Sequence, residues 1–174
     1  GVPTISLPTA AAEPSTPAAV AAQAAAWRSM ARHLAEDLCD PAGAITLLRR
    51  AIDVRERHGG GGCGEQADTH VDLGRALGRA GELPAAEHHL RVAWSIHERA
   101  GDASAETLGD LLHYTAVMAD RRRHRVDAEG LYRRALATYA GGRVGGDNVG
   151  LAVKNLALNL KKQGRAVEGD ALVA

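Results

Sequence analysis

The first residues to test for chemistry are His58, Cys63 and His70, which surround the glycine-rich residues 59–62. Zinc binds histidine nitrogen and cysteine thiolate, but a structural zinc site needs four such ligands at compatible spacing. Three ligands at this spacing fit no zinc motif, and no two of the other histidines are spaced for chelation on one helix. The sequence therefore predicts no metal site.

Catalytic motifs are also missing. The glycine-rich residues 59–64 and 141–146 lack the Lys-Ser/Thr ending with which a phosphate-binding loop holds its nucleotide. No motif places a Ser/His/Asp or Cys/His arrangement, and no pair of carboxylates lies in a setting that would raise the pKa of one of them. We therefore expect no catalytic residue and no cofactor, and we expect that the chain is not an enzyme.

A basic run lies at residues 121–125, where four arginines surround His124. A cluster at an exposed turn is most simply a solvated surface, and it is also a candidate basic rim that anchors an acidic protein or RNA. The arginines of this candidate rim are Arg121, Arg122, Arg123 and Arg125.

The overall composition narrows the class of partner. The 21 Lys and Arg residues balance the 21 Asp and Glu residues, and aromatic residues make up 3% of the chain. A neutral chain with few aromatics lacks the positive field and the stacking surfaces that nucleic-acid binding uses, so nucleic acid is not expected as a partner. Two cysteines give no disulfide framework, and no apolar run reaches the ~18 residues of a membrane span. We expect no membrane association and an intracellular location, in the cytoplasm or inside an organelle.

An internal repeat is the strongest pattern in the chain. Three segments each contain a small residue, a large residue four positions later and an alanine three positions after that, which places all three on one face of a helix. The triplets are Ala44/Leu48/Ala51, Ala86/Leu90/Ala93 and Ala128/Tyr132/Ala135, and they recur at a constant spacing. A period of this length, about 42 residues, is typical of stacked helical repeats.

The elements that carry this pattern are pairs of helices, a helix A and then a helix B. Gly81 and Gly164 suit the left-handed position after a helix, while Pro41 and Pro84 suit the first turn of the next one. The sequence predicts eight helices, near residues 19–38, 41–58, 65–80, 83–100, 104–121, 124–140, 147–163 and 166–174.

The pattern resembles the tetratricopeptide repeat (TPR) family, and its period resembles the kinesin-light-chain subtype. The small and large positions of the family are met by Leu73, Gly74, Leu77, Ala86, Leu90 and Ala93. The resemblance implies an all-α, right-handed superhelical solenoid of antiparallel helix pairs, with about four repeats in residues 19–174 and a truncated last repeat. Residues 1–18, rich in alanine and proline, are expected to lie outside the repeats because their prolines interrupt any helix.

The resemblance also implies a binding groove on the A helices, where the subtype uses asparagines to hold a peptide backbone. Asn155 occupies that position in the last repeat, whereas Met30, Asp72 and Tyr114 occupy it in the others. Three lysines make one end of the groove basic, which favours an acidic segment as ligand, although an ordinary charged surface would look the same. The candidate groove residues are Arg75, Arg79, His113, Lys154, Asn155, Leu158, Lys161 and Lys162.

The expected function is therefore a protein-interaction scaffold that binds a protein or peptide, within a larger assembly. Two alternatives stay open: a regulatory or substrate-recognition domain of a larger enzyme or motor-associated protein, and an RNA-binding helical repeat. At the C-terminal edge, Leu156, Leu160, Leu172 and Val173 are expected to be exposed. A partner or further repeats would then cover that edge.

Overall fold

A computed structural model describes residues 16–58, 63–101 and 103–174, and this part of the chain contains eight helices and no strand. The predicted all-α solenoid is confirmed. The helices are α1 (Pro17–Glu36), α2 (Pro41–His58), α3 (Cys63–Ala80), α4 (Leu83–Ala100), α5 (Ala105–Arg121), α6 (Arg125–Gly141), α7 (Asp147–Lys162) and α8 (Ala166–Ala171). Helices α1, α3, α5 and α7 are the A helices of the four pairs, and α2, α4, α6 and α8 are the B helices.

The repeated triplets form the packing face of the B helices. All nine residues of the three triplets are buried, with at most 2% of any of them exposed. Because the same three positions are buried in each of the first three pairs, the contacts within one pair recur in the next. The period of the sequence is thus the period of the packing.

Small residues let the two helices of a pair approach closely. A Cβ atom added to Gly74 on α3 would lie 3.1 Å from the backbone oxygen of Ala86 on α4. In the last pair the glycine is on the B helix and the alanine is on the A helix. A Cβ atom added to Gly169 of α8 would lie 2.6 Å from the backbone oxygen of Ala157 on α7. Each of these two crossings therefore has one glycine and one alanine, and a second methyl group would push the helices apart.

The turns between A and B helices all use a left-handed residue. Gly81 and Gly164 have φ angles of 86° and 85°, as predicted, and they end their A helices without steric cost. Arg123 and Cys39 occupy the same position in the other two turns, with φ angles of 67° and 51°. A side chain in this conformation is strained, so these two turns are less favourable than those that use glycine.

Prolines begin helices rather than interrupt them. Pro84 lies in the first turn of α4, and Pro41 is the first residue of α2. Pro17 is likewise the first residue of α1, and the Oγ1 atom of Thr16 caps the helix by accepting a hydrogen bond from the backbone N–H of Ala19 at 3.2 Å. The expectation that Pro17 lies outside the helices is therefore wrong. Residues 1–15 lie outside the described part of the chain.

The expected exposure at the C-terminal edge is wrong for two of its four residues. Leu156 and Leu160 are each 1% exposed, because they pack against Ala116, Ala128 and Tyr132 of the preceding pair. These leucines face back into the array rather than outward. Leu172 and Val173 are exposed, at 38% and 53%, and so is Val167 on α8, at 84%.

Candidate functional site

The A helices line a charged groove along one side of the array. A cavity of about 350 Å³ lies between α1, α3, α5 and the start of α7. Its walls carry five carboxylates and three guanidinium groups, so the groove is acidic on balance. The residues that line it are Arg28, Arg32, Glu36, Asp68, Val71, Asp72, Arg75, Glu106, Thr107, Asp110, Tyr114 and Asn148.

One end of the groove is fixed by an ion-pair network between α1 and α3. Arg28 donates from Nε to Asp72 at 2.7 Å and from Nη1 to Asp68 at 3.1 Å. Asp72 is 8% exposed, so this pair is shielded from water and holds the two A helices at a fixed separation. Arg28 and Asp72 are therefore already satisfied by each other.

Arg75 and Tyr114 form the centre of the groove. The Arg75 guanidinium carbon lies 4.7 Å from the centre of the Tyr114 ring, and its Nη2 atom is 3.1 Å from a carboxylate oxygen of Glu36. Burial raises the pKa of the Tyr114 hydroxyl, which stays protonated and remains a hydrogen-bond donor at neutral pH. The arginine is thus held by a cation–π contact on one side and by a carboxylate on the other.

Asp110 supplies negative charge to the other end. The Tyr139 hydroxyl donates to one of its oxygens at 2.5 Å, and the Asn148 amide donates to the other at 3.1 Å. Both donors are neutral, so they orient the carboxylate without cancelling its charge. Burial raises the pKa of Asp110, and the exposed carboxylate of Glu106 contributes to the same rise.

The groove continues into a second cavity of about 170 Å³, which shares Arg75 and Tyr114 with the first, and the predicted residues His113 and Asn155 lie together at its wall. The Asn155 amide nitrogen is 2.9 Å from Nε2 of His113, which links α5 to α7. His113 is only 1% exposed, and this burial, with a smaller effect of Arg75, lowers its pKa to about 4. The imidazole is therefore neutral at neutral pH, and its Nε2 atom can accept the hydrogen bond that holds the Asn155 side chain in place.

The other predicted groove residues do not all lie in the groove. Arg75 lines both cavities of the groove and Arg79 lines the second, where Arg79 donates to the backbone carbonyl of Ala35 at 2.8 Å. Lys162 pairs with Asp120 on α5, whereas Lys161 points to α8, where it pairs with Asp170 at 2.6 Å.

Lys154 and Leu158 are exposed on α7, and Leu158 is 50% exposed. With the other two lysines paired, the predicted basic end is reduced to Lys154.

Three of the four arginines of the candidate basic rim contact neighbouring helices. Arg121 donates to the backbone carbonyl of Gly78, and Arg122 pairs with Glu87 at 2.7 Å. Arg125 donates to the backbone carbonyl of Lys162 at 2.9 Å. The fourth, Arg123, is exposed at the left-handed position of the turn. Much of the charge in this run therefore braces adjacent repeats.

Several groove residues were missed by the sequence reasoning: Arg28, Asp68, Glu106, Asp110 and Asn148. The period offered a signal for two of them. Asp68 and Asp110 hold equivalent positions in consecutive repeats and lie one helical turn before Asp72 and Tyr114. Both carboxylates lie four residues before the position of the family's asparagine on their A helices. Including that preceding turn in the predicted groove would have found them.

Neither a metal site nor a membrane span is present in the part of the chain that the structure describes. No three His, Cys, Asp or Glu side chains of these residues are grouped so that they could hold a metal ion. None of the helices among them has the length and apolar character needed to cross a bilayer. The candidate site is a surface of polar and charged side chains along stacked helices, and this fold and site define a helical-repeat protein with a groove.

Comparison with known proteins agrees with this class. Residues 67–100 match the tetratricopeptide repeat family TPR_10. Among curated proteins, none matches the sequence of the chain.

Solved structures with the same fold include TPR-like repeats from Podosopora anserina assigned to a kinesin light chain. They are 16% identical with a TM-score of 0.71, and the match covers 91% of this chain and 74% of that one. BtubC (BKLC) from P. vanneervenii is 18% identical with a TM-score of 0.66, over 90% and 70% of the two chains. MamA is 15% identical with a TM-score of 0.59, over 86% and 73%.

These matches confirm the resemblance found in the sequence. Residues 67–100 are a tetratricopeptide repeat, and the chain folds as a TPR-like solenoid of the kind seen in kinesin-light-chain repeats. Repeats of this class are in general protein-interaction scaffolds.

Proposed function

We propose that this protein is a non-catalytic scaffold that recruits or braces partner proteins by binding a segment of the partner in the groove of the A helices. The observation that carries the proposal is the charge arrangement of the groove. Three arginines face five carboxylates, and Glu106 and Asp110 form no ion pair with any of the described residues. A segment with a lysine or arginine side chain would neutralise this end of the groove.

The geometry supports an extended segment as ligand. Asn155 uses its amide nitrogen for His113, which leaves its carbonyl oxygen directed away from that bond and able to accept a backbone N–H of a ligand. Leu151 lies beside it, 45% exposed, and offers an apolar contact. A cationic side chain near Asp110 and a backbone amide at Asn155 would fix the direction of the bound segment.

The acidic balance of the groove also bears on the alternatives. RNA binding needs a positive surface that follows the phosphates, and the groove has the opposite sign. A partner protein with a basic segment is therefore the ligand that the groove favours, in place of the acidic segment expected from the lysines of α7.

An affinity pull-down with mass spectrometry tests the proposal when it compares variants of the two faces. The groove variant Glu106→Arg/Leu151→Glu changes two exposed groove residues, and the control Glu98→Arg/Val126→Glu makes the same kind of charge changes on the B helices. We expect the specific partners to be lost by the groove variant and kept by the control, with both variants folded by circular dichroism. If the groove variant retains every partner, the groove is not the binding surface.

A further inference from the structure

A second cleft lies on the other side of the array, between the B helices α4 and α6. Its volume is about 450 Å³, which is within the range of ~300–1,000 Å³ found for ligand clefts. It shares no lining residue with the groove of the A helices. The residues that line it are Glu87, Leu90, Arg91, Trp94, Leu112, Thr115, Leu131 and Arg134.

The cleft lies where α4 and α6 are not closely packed against each other. No Cα atom of α4 lies within 8 Å of one in α6, while both helices pack on α5. Trp94 is the large residue at the position that Ile52 and Leu136 occupy in the neighbouring repeats. Its ring packs against both the larger core of the first repeats and the core around Tyr139, and it remains partly exposed between them.

The floor of the cleft is apolar and its rim is basic. Leu90 and Leu112 are 2% and 7% exposed at the floor, and Leu131 and Trp94 are the partly exposed walls. Leu90, Arg91 and Trp94 lie on one side of α4, since Trp94 follows the other two by four and three residues. A side chain that enters the cleft would therefore pass the arginines and pack against leucine and tryptophan.

The charges at the rim are not balanced within the protein. Glu87 is paired with Arg122 at 2.7 Å, so it is not free to neutralise a second arginine. The side chains of Arg91 on α4 and Arg134 on α6 are exposed and make no ion pair or hydrogen bond with the described residues. Two unpaired guanidinium groups thus stand on opposite walls of an apolar cleft.

We infer that this cleft is a second docking site, for a short segment of a partner protein that carries an apolar side chain next to Asp or Glu. The apolar side chain fills the space between Trp94 and Leu131, and the carboxylate pairs with Arg91 or Arg134. Guanidinium groups favour carboxylates because their two parallel N–H donors match the two oxygens. The groove of the A helices favours a basic segment, so the two faces select ligands of opposite charge.

The test is a selection of random 12-residue peptides on phage against the immobilised full chain. Synthetic peptides from the selected sequences are then titrated against variants, with Trp94 fluorescence as readout in a Trp27→Phe background. The cleft variant is Arg91→Glu/Arg134→Glu, and the matched control is Arg49→Glu/Arg50→Glu on α2. Arg49 and Arg50 hold, in the first repeat, the positions equivalent to Arg91 and Arg134, so the control makes the same change of charge outside the cleft.

We expect a set of peptides with an apolar residue beside Asp or Glu that shift the Trp94 emission. Their Kd should rise about tenfold or more in the cleft variant, because charge-assisted hydrogen bonds are lost, and should not change in the control or in Glu106→Arg/Leu151→Glu. The inference is overturned if no such peptide is recovered. Equal binding of these apolar, acidic peptides to the parent and to the cleft variant would overturn it as well.

Discussion

Acidification should destabilise this protein because two of its histidines are buried in the neutral form. Burial lowers the pKa of His113 to about 4, with a smaller effect from Arg75. Burial also lowers the pKa of His70 to about 4, and its neighbours His89 and His88 add to the effect. In the unfolded chain both would titrate near the ordinary value of 6.5.

The sign follows from the protons that each state binds. Between pH 6.5 and pH 4 the unfolded chain binds protons at these histidines and the folded chain does not, so stability falls as the pH falls through this window. Above pH 6.5 the contribution is fully present. From pH 7 to pH 4.5, each histidine should cost ~2 kcal/mol of unfolding free energy, which is a large part of the ~5–15 kcal/mol of a typical domain.

Urea denaturation at pH 7 and pH 4.5, followed by circular dichroism, measures this loss. His113→Gln removes one titrating group while keeping a hydrogen-bonding partner for Asn155, so the loss between the two pH values should shrink by ~2 kcal/mol. His124→Gln, in the exposed turn before α6, should leave the loss as it is in the parent. If His113→Gln loses as much stability on acidification as the parent, burial of a neutral imidazole at this position is refuted.

Three further predictions concern packing, turns and association. Ala93 is fully buried in the core, so Ala93→Leu should cost ~1–3 kcal/mol in thermal or urea unfolding, whereas Ala100→Leu on the exposed end of α4 should cost much less. Equal melting of the two variants would contradict the assigned packing face. Arg123→Gly should stabilise by ~1 kcal/mol because it removes a strained left-handed side chain, and Arg122→Gly, at an ordinary φ of −81°, should not. No gain at residue 123 would show that the turn is unstrained. The exposed apolar residues after α8 should promote self-association in sedimentation velocity, and a monomer across a wide concentration range would exclude it.

The helices and their packing face could be predicted from the sequence because the same contacts recur in each pair. The sequence predicts a packing face at Ala86, Leu90 and Ala93, because the residues at the equivalent positions of the neighbouring repeats have matching sizes. The exposure of Leu156 could not be predicted in the same way. Its burial depends on Tyr132 and Ala128 of the preceding pair, which is a contact between repeats rather than within one.

The polar groove was harder to predict because the direction and the partner of each charged side chain depend on residues of other helices. Lys161 and Lys162 are adjacent in sequence, yet they point about 100° apart around α7. One therefore reaches Asp170 on α8 and the other reaches Asp120 on α5. The composition of α7 does not show which partner each lysine reaches. The ion pair of Arg28 could not be predicted either, because its partner Asp72 lies on a different helix.

Site-specific photo-crosslinking tests the binding role of the groove most directly. A benzophenone amino acid at Leu151 would lie in the groove, and the same group at Val126 would lie on α6, where 75% of the residue is exposed. With a partner captured through the pull-down, we expect crosslinks from position 151 to a basic segment of that partner, and few from position 126. Crosslinks that form only from position 126, or equally from both positions, would contradict binding in the groove of the A helices.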